Sequence, residues 1–326
     1  MLELLIFLIV LSLFFDFVNG FHDSSNAIAT VILTRALSIR QALFLSASLN
    51  FLGPFLFGTA VAHTIGTGIV DPSKVTVHLL LAALVGAIAW GLITWLFGLP
   101  SSSSHALVGG ITGSAIAAYG FGGVNLGGLT SIILALVISP LFGIVIGFLM
   151  MVFMVSLFRR QEPRKVNFIF KHLQVLSSSF VSLSHGTNDA QKTMGVITAG
   201  LVSMGFLKSF SVPWWVIFIS ASAISLGTIA GGWRIIKTMG TKIVSLRPIH
   251  GFCGEFSSAS IILLGSIFGL PLSTTHIVSS SLMGVGSAER LHAVRWIVAR
   301  RIIWAWFLTI PASALVAAIA FYLIPF

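Results

Sequence analysis

Apolar runs long enough to cross a bilayer follow one another almost without pause along this chain. Residues 40–62, 76–98, 128–157 and 300–325 are the clearest. Each exceeds the roughly 20 residues an α-helix needs to traverse a hydrocarbon core. Only helices or closed barrels satisfy the backbone in lipid. The runs lack the two-residue alternation of barrel strands, which selects helices. Charged residues make up 8% of the chain, against about 25% in soluble domains. The expected fold class is therefore an all-α polytopic membrane protein.

The net charge of +10 does not indicate nucleic acid as a partner, because the basic residues stand at the ends of apolar runs and not on a soluble module. In a lipid-embedded chain such residues mark orientation. The lone cysteine, Cys253, rules out an intrachain disulfide and a cysteine-rich metal site. Met1 to Phe15 has no basic start and no small-residue cleavage site, and reads as a first helix.

The two halves resemble each other at three places in the same order. Gly20-Phe-His-Asp23 matches Gly186-Thr-Asn-Asp189, an offset of 189−23 = 166. Phe44-Leu-Ser-Ala-Ser48 matches Phe218-Ile-Ser-Ala-Ser222, an offset of 218−44 = 174, continuing through Gly53/Gly227, Gly58/Gly232, Thr64/Thr238 and Gly66/Gly240. Phe97-Gly-Leu-Pro100 with His105 matches Phe268-Gly-Leu-Pro271 with His276, an offset of 271−100 = 171.

Charge gives the sign of the repeat. Arg35 and Arg40 follow the first motif in the first half, where the second half has only Lys208. The next connector reverses this, with Asp71 and Lys74 against Arg234, Lys237, Lys242 and Arg247. After the third motif, residues 118–128 are uncharged, whereas their counterpart leads into Glu289, Arg290, Arg295, Arg300 and Arg301. Such a swap is expected of inverted-topology repeats. It divides the chain into a first repeat (1–158), a basic linker (159–171) and a second repeat (172–326), about 12 membrane elements with broken helices and helical hairpins. Fifteen of the 18 basic residues then share one side. The linker is expected to be cytoplasmic and both termini extracytoplasmic in a multi-pass cell-membrane protein.

The first motif, Asn19-Gly-Phe-His22-Asp23-Ser-Ser-Asn26, and its partner His185-Gly-Thr-Asn188-Asp189-Ala-Gln191-Lys192 put a carboxylate and a glycine inside an apolar helix. An intramembrane ion is costly and needs a partner or a function. A glycine-broken helix exposes carbonyls that coordinate cations. The plainer reading makes each aspartate the N-cap of the following segment. The second motif, Gly98-Leu-Pro100-Ser-Ser-Ser-Ser104-His105 with Gly269-Leu-Pro271-Leu-Ser273-Thr-Thr275-His276, ends one helix and opens another. Proline suits a first turn, and serine or threonine an N-cap. The free N–H groups and hydroxyls of such a start form an anion cradle; the plainer reading is two ordinary interfacial caps.

Two cradles beside two carboxylates would repel an oxyanion unless cations neutralise the cluster. Asp23 and Asp189, with Asn188 and Ser102, are the candidate sodium ligands. Ser103, Ser104, His105, Ser273, Thr274, Thr275, Asn26 and Gln191 are the candidate anion ligands. Lys192 is expected to pair with Asp189 three residues earlier. Glu255 is expected as a cation ligand, a proton site or a cap. Asn50 is expected as a packing hydrogen bond. Asp16, which has no acidic counterpart, is expected at the membrane boundary or as a structural partner.

These motifs in combination resemble the PiT family of inorganic phosphate transporters. The resemblance spans nearly the whole chain and departs at His22, where the family usually has Asn, and at Asn50, where many members have Glu. It implies a secondary active transporter importing phosphate by cation symport, sodium or proton, by alternating access around a midplane site. It also implies a homodimer, and no cofactor beyond the co-transported cations. A similar branch carries sulfate. An anion channel is an alternative of another class. A Ser-His hydrolase is disfavoured because adjacent helical residues point about 100° apart.

Overall fold

The computed structural model describes residues 2–231, 235 and 246–324. Gly232, Arg234, Lys237, Thr238, Gly240 and Lys242, which enter the repeat and charge arguments, lie outside the described residues. Eleven α-helices occur among those described: α1 (Leu2–Leu33), α2 (Ile39–Leu52), α3 (Ala60–Gly68), α4 (Val77–Leu96), α5 (Ser103–Tyr119), α6 (Leu126–Phe158), α7 (Pro163–Ser203), α8 (Trp214–Ala230), α9 (Pro248–Ile267), α10 (Thr274–Glu289) and α11 (Trp296–Leu323). Five of them, α1, α4, α5, α6 and α11, are long and apolar enough to cross a membrane, and α2 with α3 makes a sixth candidate bent by 73°. The basic segment 159–171 is mostly helical, since only residues 159–162 separate α6 from α7.

The halves interlock. α5 packs on α11 while α6 packs on α10, and α1 packs on α8 while α7 packs on α2. These pairs exchange with one another when the halves are exchanged. Only 28% of the apolar window of α6, and of α11, is buried. Their outer faces carry Phe142, Leu149, Phe153, Trp304, Phe307 and Leu315, all exposed. Such a face is stable where the surroundings are as apolar as the side chains.

The motif helices are not broken. α1 runs unbroken through Gly20 and Asp23, and α7 through Gly186 and Asp189. Neither aspartate is an N-cap. The glycines serve close helix contact instead. A Cβ on Gly20 would stand 2.3 Å from the Ile224 carbonyl oxygen, and one on Gly227 would stand 2.1 Å from that of Phe17. In the other half a Cβ on Gly186 would meet the Asn50 carbonyl at 2.3 Å, and one on Gly53 that of Leu183 at 2.4 Å. The repeat thus conserves two backbone-to-backbone crossings that only hydrogen at Cα permits.

The true breaks are the hairpin tips. α4 ends in Gly98 with φ +62°, and the Leu99 N–H returns to the Thr94 carbonyl at 2.9 Å. α9 ends in Gly269 with φ +71°, and the Leu270 N–H returns to Gly265 at 2.8 Å. This is the left-handed glycine cap of a helix C-terminus. Pro100 and Pro271 lie before the next helix and not in its first turn. The N-caps are Ser102 and Ser273, whose side chains accept the N–H of His105 and His276 at 3.2 Å each.

Candidate functional site

Each tip opens its helix toward both motif helices, and the two tips meet. Ser104 Oγ of the first tip donates to the Leu272 carbonyl of the second at 2.8 Å. The rings of His105 and His276 lie 4.3 Å apart, and His276 stacks on Trp306 at 4.0 Å. Against this seam stand the aspartates of α1 and α7.

Asp23 is buried and reached by three side chains. His22 Nδ1 lies 2.8 Å from its Oδ1. Thr275 Oγ1 donates to the same oxygen at 3.0 Å while accepting the Asn26 amide at 2.9 Å. Ser103 Oγ donates to Oδ2 at 3.4 Å. Asp189, equally buried, holds Lys192 Nζ at 3.0 Å and His185 Nε2 at 3.3 Å, and accepts Thr274 Oγ1 at 3.3 Å. Lys192 bridges the halves, since its Nζ also donates to Ser103 at 2.8 Å. Ligand atoms of Asp23, His185 and Asp189 all lie within 4.8 Å of one another. Two carboxylates, one ammonium and three hydroxyls from both halves thus form one connected polar centre inside an apolar shell.

Of the residues singled out from sequence, Asp23, Asp189, Ser103, Thr274, Thr275 and Asn26 come together here. The others face elsewhere. Gln191 Oε1 accepts the N–H of Val61 at 2.8 Å and of Ala62 at 3.1 Å, capping α3 beyond the α2–α3 bend. The Asn188 amide donates to Ser266 Oγ at 2.9 Å and the Leu270 carbonyl at 3.3 Å, binding α7 to the second tip. Ser102 also takes His105 Nδ1 at 2.9 Å. Ser102 and Ser273 are occupied as caps, and Ser104 as the tip-to-tip bond. His22 reaches Thr94 Oγ1 at 3.4 Å, and Thr94 meets Ser101 at 2.7 Å. Beside this contact a cavity of about 20 Å³ is lined by Asn19, His22, Ser101, Ser102 and Ser103, room for about one water.

Sequence reasoning passed over Thr94, Ser101 and Ser266, ordinary hydroxyls in apolar helices. Their only local signal is position, just before or within the Gly-Leu-Pro tip. Asn50 holds a longer relay than a packing bond: its amide donates to Thr228 at 2.8 Å and its Oδ1 faces His185 Nδ1 at 3.3 Å. Glu255 lies inside α9 and is not a cap. It is buried and accepts from Gln174 at 3.1 Å, with Thr30 and Ser177 in close contact. Asp16 is wholly buried within α1.

Comparison with known proteins gives the arrangement a family. The phosphate transporter family matches residues 19–317. A probable low-affinity inorganic phosphate transporter of Rhizobium meliloti is 48% identical over 98% of this chain and 96% of its own length. A protein of the same description from Bacillus subtilis is 45% identical over 99% and 98%. A solved structure described as the sodium-dependent phosphate transporter superposes with a TM-score of 0.92 at 30% identity, covering 98% of both chains. The chain belongs to the phosphate transporter family, as a helical membrane protein and a transporter, not an enzyme.

Proposed function

We propose that this protein imports inorganic phosphate by symport with a cation, sodium foremost, by alternating access around the Asp23–Asp189 centre. The observation that carries the reading is that hydroxyls of both hairpin tips, Ser103, Thr274 and Thr275, point at carboxylates of both motif helices. Hydroxyls at a helix start are suited to oxyanion oxygens. Here they donate to carboxylates, so phosphate and carboxylate compete for the same donors. A cation on each aspartate removes the competition: it satisfies the carboxylate and frees the hydroxyls for the anion. At about 4 Å two unit charges repel by about 4 kcal/mol at an effective dielectric of 20. Neither ion then binds well alone, and that mutual dependence is the coupling.

Asp23 and Asp189, with Asn188 and Ser102, are the proposed sodium ligands. Carboxylate, amide and hydroxyl oxygens suit a hard ion. Ser103, Ser104, His105, Ser273, Thr274, Thr275, Asn26 and Gln191 are the proposed phosphate shell. Those now engaged in caps or tip contacts act once the tips separate, which the closely fitted seam requires for entry in any case. The repeats are read as inverted, with cytoplasmic linker and extracytoplasmic termini, and the exposed apolar faces as covered by lipid and by a second copy of the chain.

The test is uptake of labelled phosphate into proteoliposomes with sodium and proton gradients imposed separately. A sodium gradient is expected to drive accumulation, and Asp23→Asn to abolish it. Undiminished sodium-driven flux in that variant removes Asp23 from the mechanism. Flux following only the proton gradient replaces sodium by a proton. Full competition by excess sulfate reassigns the anion.

A further inference from the structure

Asp16 has no part in the centre just described, yet it is buried completely in the same protein core. It faces the Asn19 amide and the Thr193 hydroxyl, and it senses the charges of Asp189 and Lys192. Thr193 and Asn19 stand close enough to favour its charged form, but neither meets full hydrogen-bond geometry with its carboxylate oxygens. Both amide atoms of Asn19 and Thr193 Oγ1, all buried, likewise have no partner in that geometry. Buried polar groups are rarely left without partners, and several converging ones point to a ligand.

The second half places protein partners at the corresponding positions. At the offsets of 166 and 174, Asp16 corresponds to Ser182, Asn19 to His185, Ser220 to Ser46 and Ile224 to Asn50. Ser182 bonds Ser46 at 3.0 Å, and His185 faces Asn50 at 3.3 Å. On α8, which packs on α1, Ser220 Oγ has no partner, and Ile224 takes the position that Asn50 holds on α2. Charge points the same way. Asp16, Asp23 and Asp189 are three buried carboxylates, and the one buried lysine near them, Lys192, is already held by Asp189 at 3.0 Å and Ser103 at 2.8 Å. Asn19 also lines the cavity of about 20 Å³ that runs to Ser103.

We propose that Asp16, Asn19 and Thr193 form a second cation site, beside and separate from the Asp23–Asp189 pair, that takes a sodium ion. The donor set is a carboxylate, an amide carbonyl and a hydroxyl, all oxygen, which suits a small hard cation. The site rests on the transport reading only in the role of its ion, which adds a further co-transported charge.

Two measurements test it. The first is thermal unfolding of purified wild type and Asp16→Asn in rising sodium chloride against choline chloride, without phosphate. Sodium is expected to raise the wild-type Tm, and D16N to lose a large part of that rise. The second is the sodium dependence of phosphate uptake in proteoliposomes, where D16N is expected to lower the Hill coefficient by about one. Thr193→Val, which keeps the carboxylate, is expected to weaken sodium affinity without changing that order. A D16N protein with the wild-type sodium-induced Tm rise and uptake order overturns the site. So does a wild type stabilised no more by sodium than by choline. A wild type that is stabilised through Asp16 but moves no phosphate keeps the cation site and refutes the transport reading.

Discussion

α1 and α7 carry the same motif on equivalent helices, but their surroundings differ. On α7 Lys192 meets Asp189, His185 lies between Asp189 and Asn50, and Ser182 bonds Ser46, while Asn188 Oδ1, Thr193 Oγ1 and Thr198 Oγ1 are left without partners. Around α1 the equivalent groups, Asp16, Asn19 and Ser220, are left with unbonded atoms, and Asn26 stands in place of the lysine. The asymmetry reverses at the helix ends. Glu255 is knotted to Thr30, Gln174 and Ser177, whereas the counterparts of Glu255, Gln174 and Thr30 are Leu84, Leu8 and Val196, all in one apolar cluster. A duplicated scaffold has thus kept its backbone crossings and diverged in polarity. Asp189 is held by a protein ammonium, whereas Asp16 has none.

The sharpest way to break this comparison is to remove the lysine. Lys192→Met leaves the Asp189 carboxylate buried without its 3.0 Å partner. Loss of one member of a buried pair costs about 3–5 kcal/mol. Uptake is expected to fall by more than about 100-fold, of which the lost ground-state pairing alone accounts for most. The counterpart change, Asn26→Ala, removes one neutral bond of 2.9 Å to Thr275 and should cost about 1 kcal/mol. Restoring neutrality in Lys192→Met/Asp189→Asn is expected to recover much of the stability but none of the transport. Equal Tm losses for K192M and N26A would show that the two motif helices are electrostatically alike, contrary to the contrast drawn here.

The ends of the helices give an intermediate effect. Glu255→Leu installs the residue type of the other half and strips Gln174, Thr30 and Ser177 of their acceptor. Each unsatisfied buried donor costs about 1–3 kcal/mol, less where a hydroxyl can turn to its own helix. About 3 kcal/mol in total is expected from chemical unfolding in detergent. The reverse exchange, Leu84→Gln, puts an amide into the apolar cluster and should cost about 2–4 kcal/mol. A neutral result for either would mean that the polar knot and the apolar cluster are interchangeable fillings.

What could be read in advance divides along the same line between local and distant causes. The hairpin tips were legible because their determinants are adjacent in sequence: a glycine at positive φ, a proline that cannot continue a helix, and a serine one turn before the histidine it caps. Only the proline's register was off, since it precedes the N-cap. The motif glycines were misread as helix breaks because a glycine freeing a helix and a glycine admitting a neighbour look identical in sequence. The partner that decides for Gly20 is Ile224, about two hundred positions away in the chain. The contact Gln191 makes is equally distant: its Oε1 accepts the N–H groups of Val61 and Ala62, which α3 presents. Asp16 was discounted because it lacks an acidic twin, yet that very lack of symmetry leaves its oxygens unbonded.

The smallest effect gives the finest discrimination. Ser182 and Ser220 are both buried serines facing the opposite half, one on a motif helix and one on the helix it crosses. Ser182 Oγ donates to Ser46 at 3.0 Å and sits 2.8 Å from the Ser178 carbonyl, so Ser182→Ala should cost about 1 kcal/mol whatever the salt. Ser220 Oγ has no protein partner, so Ser220→Ala removes a desolvated hydroxyl and should be neutral, or stabilising by about 1 kcal/mol, in choline chloride. Thermal unfolding of both variants in choline and in sodium separates the cases. If S220A costs as much as S182A without sodium, the α1 side is as well satisfied as the α7 side and the asymmetry disappears. If S220A is neutral in choline and costly only in sodium, the Ser220 hydroxyl takes part in holding the ion.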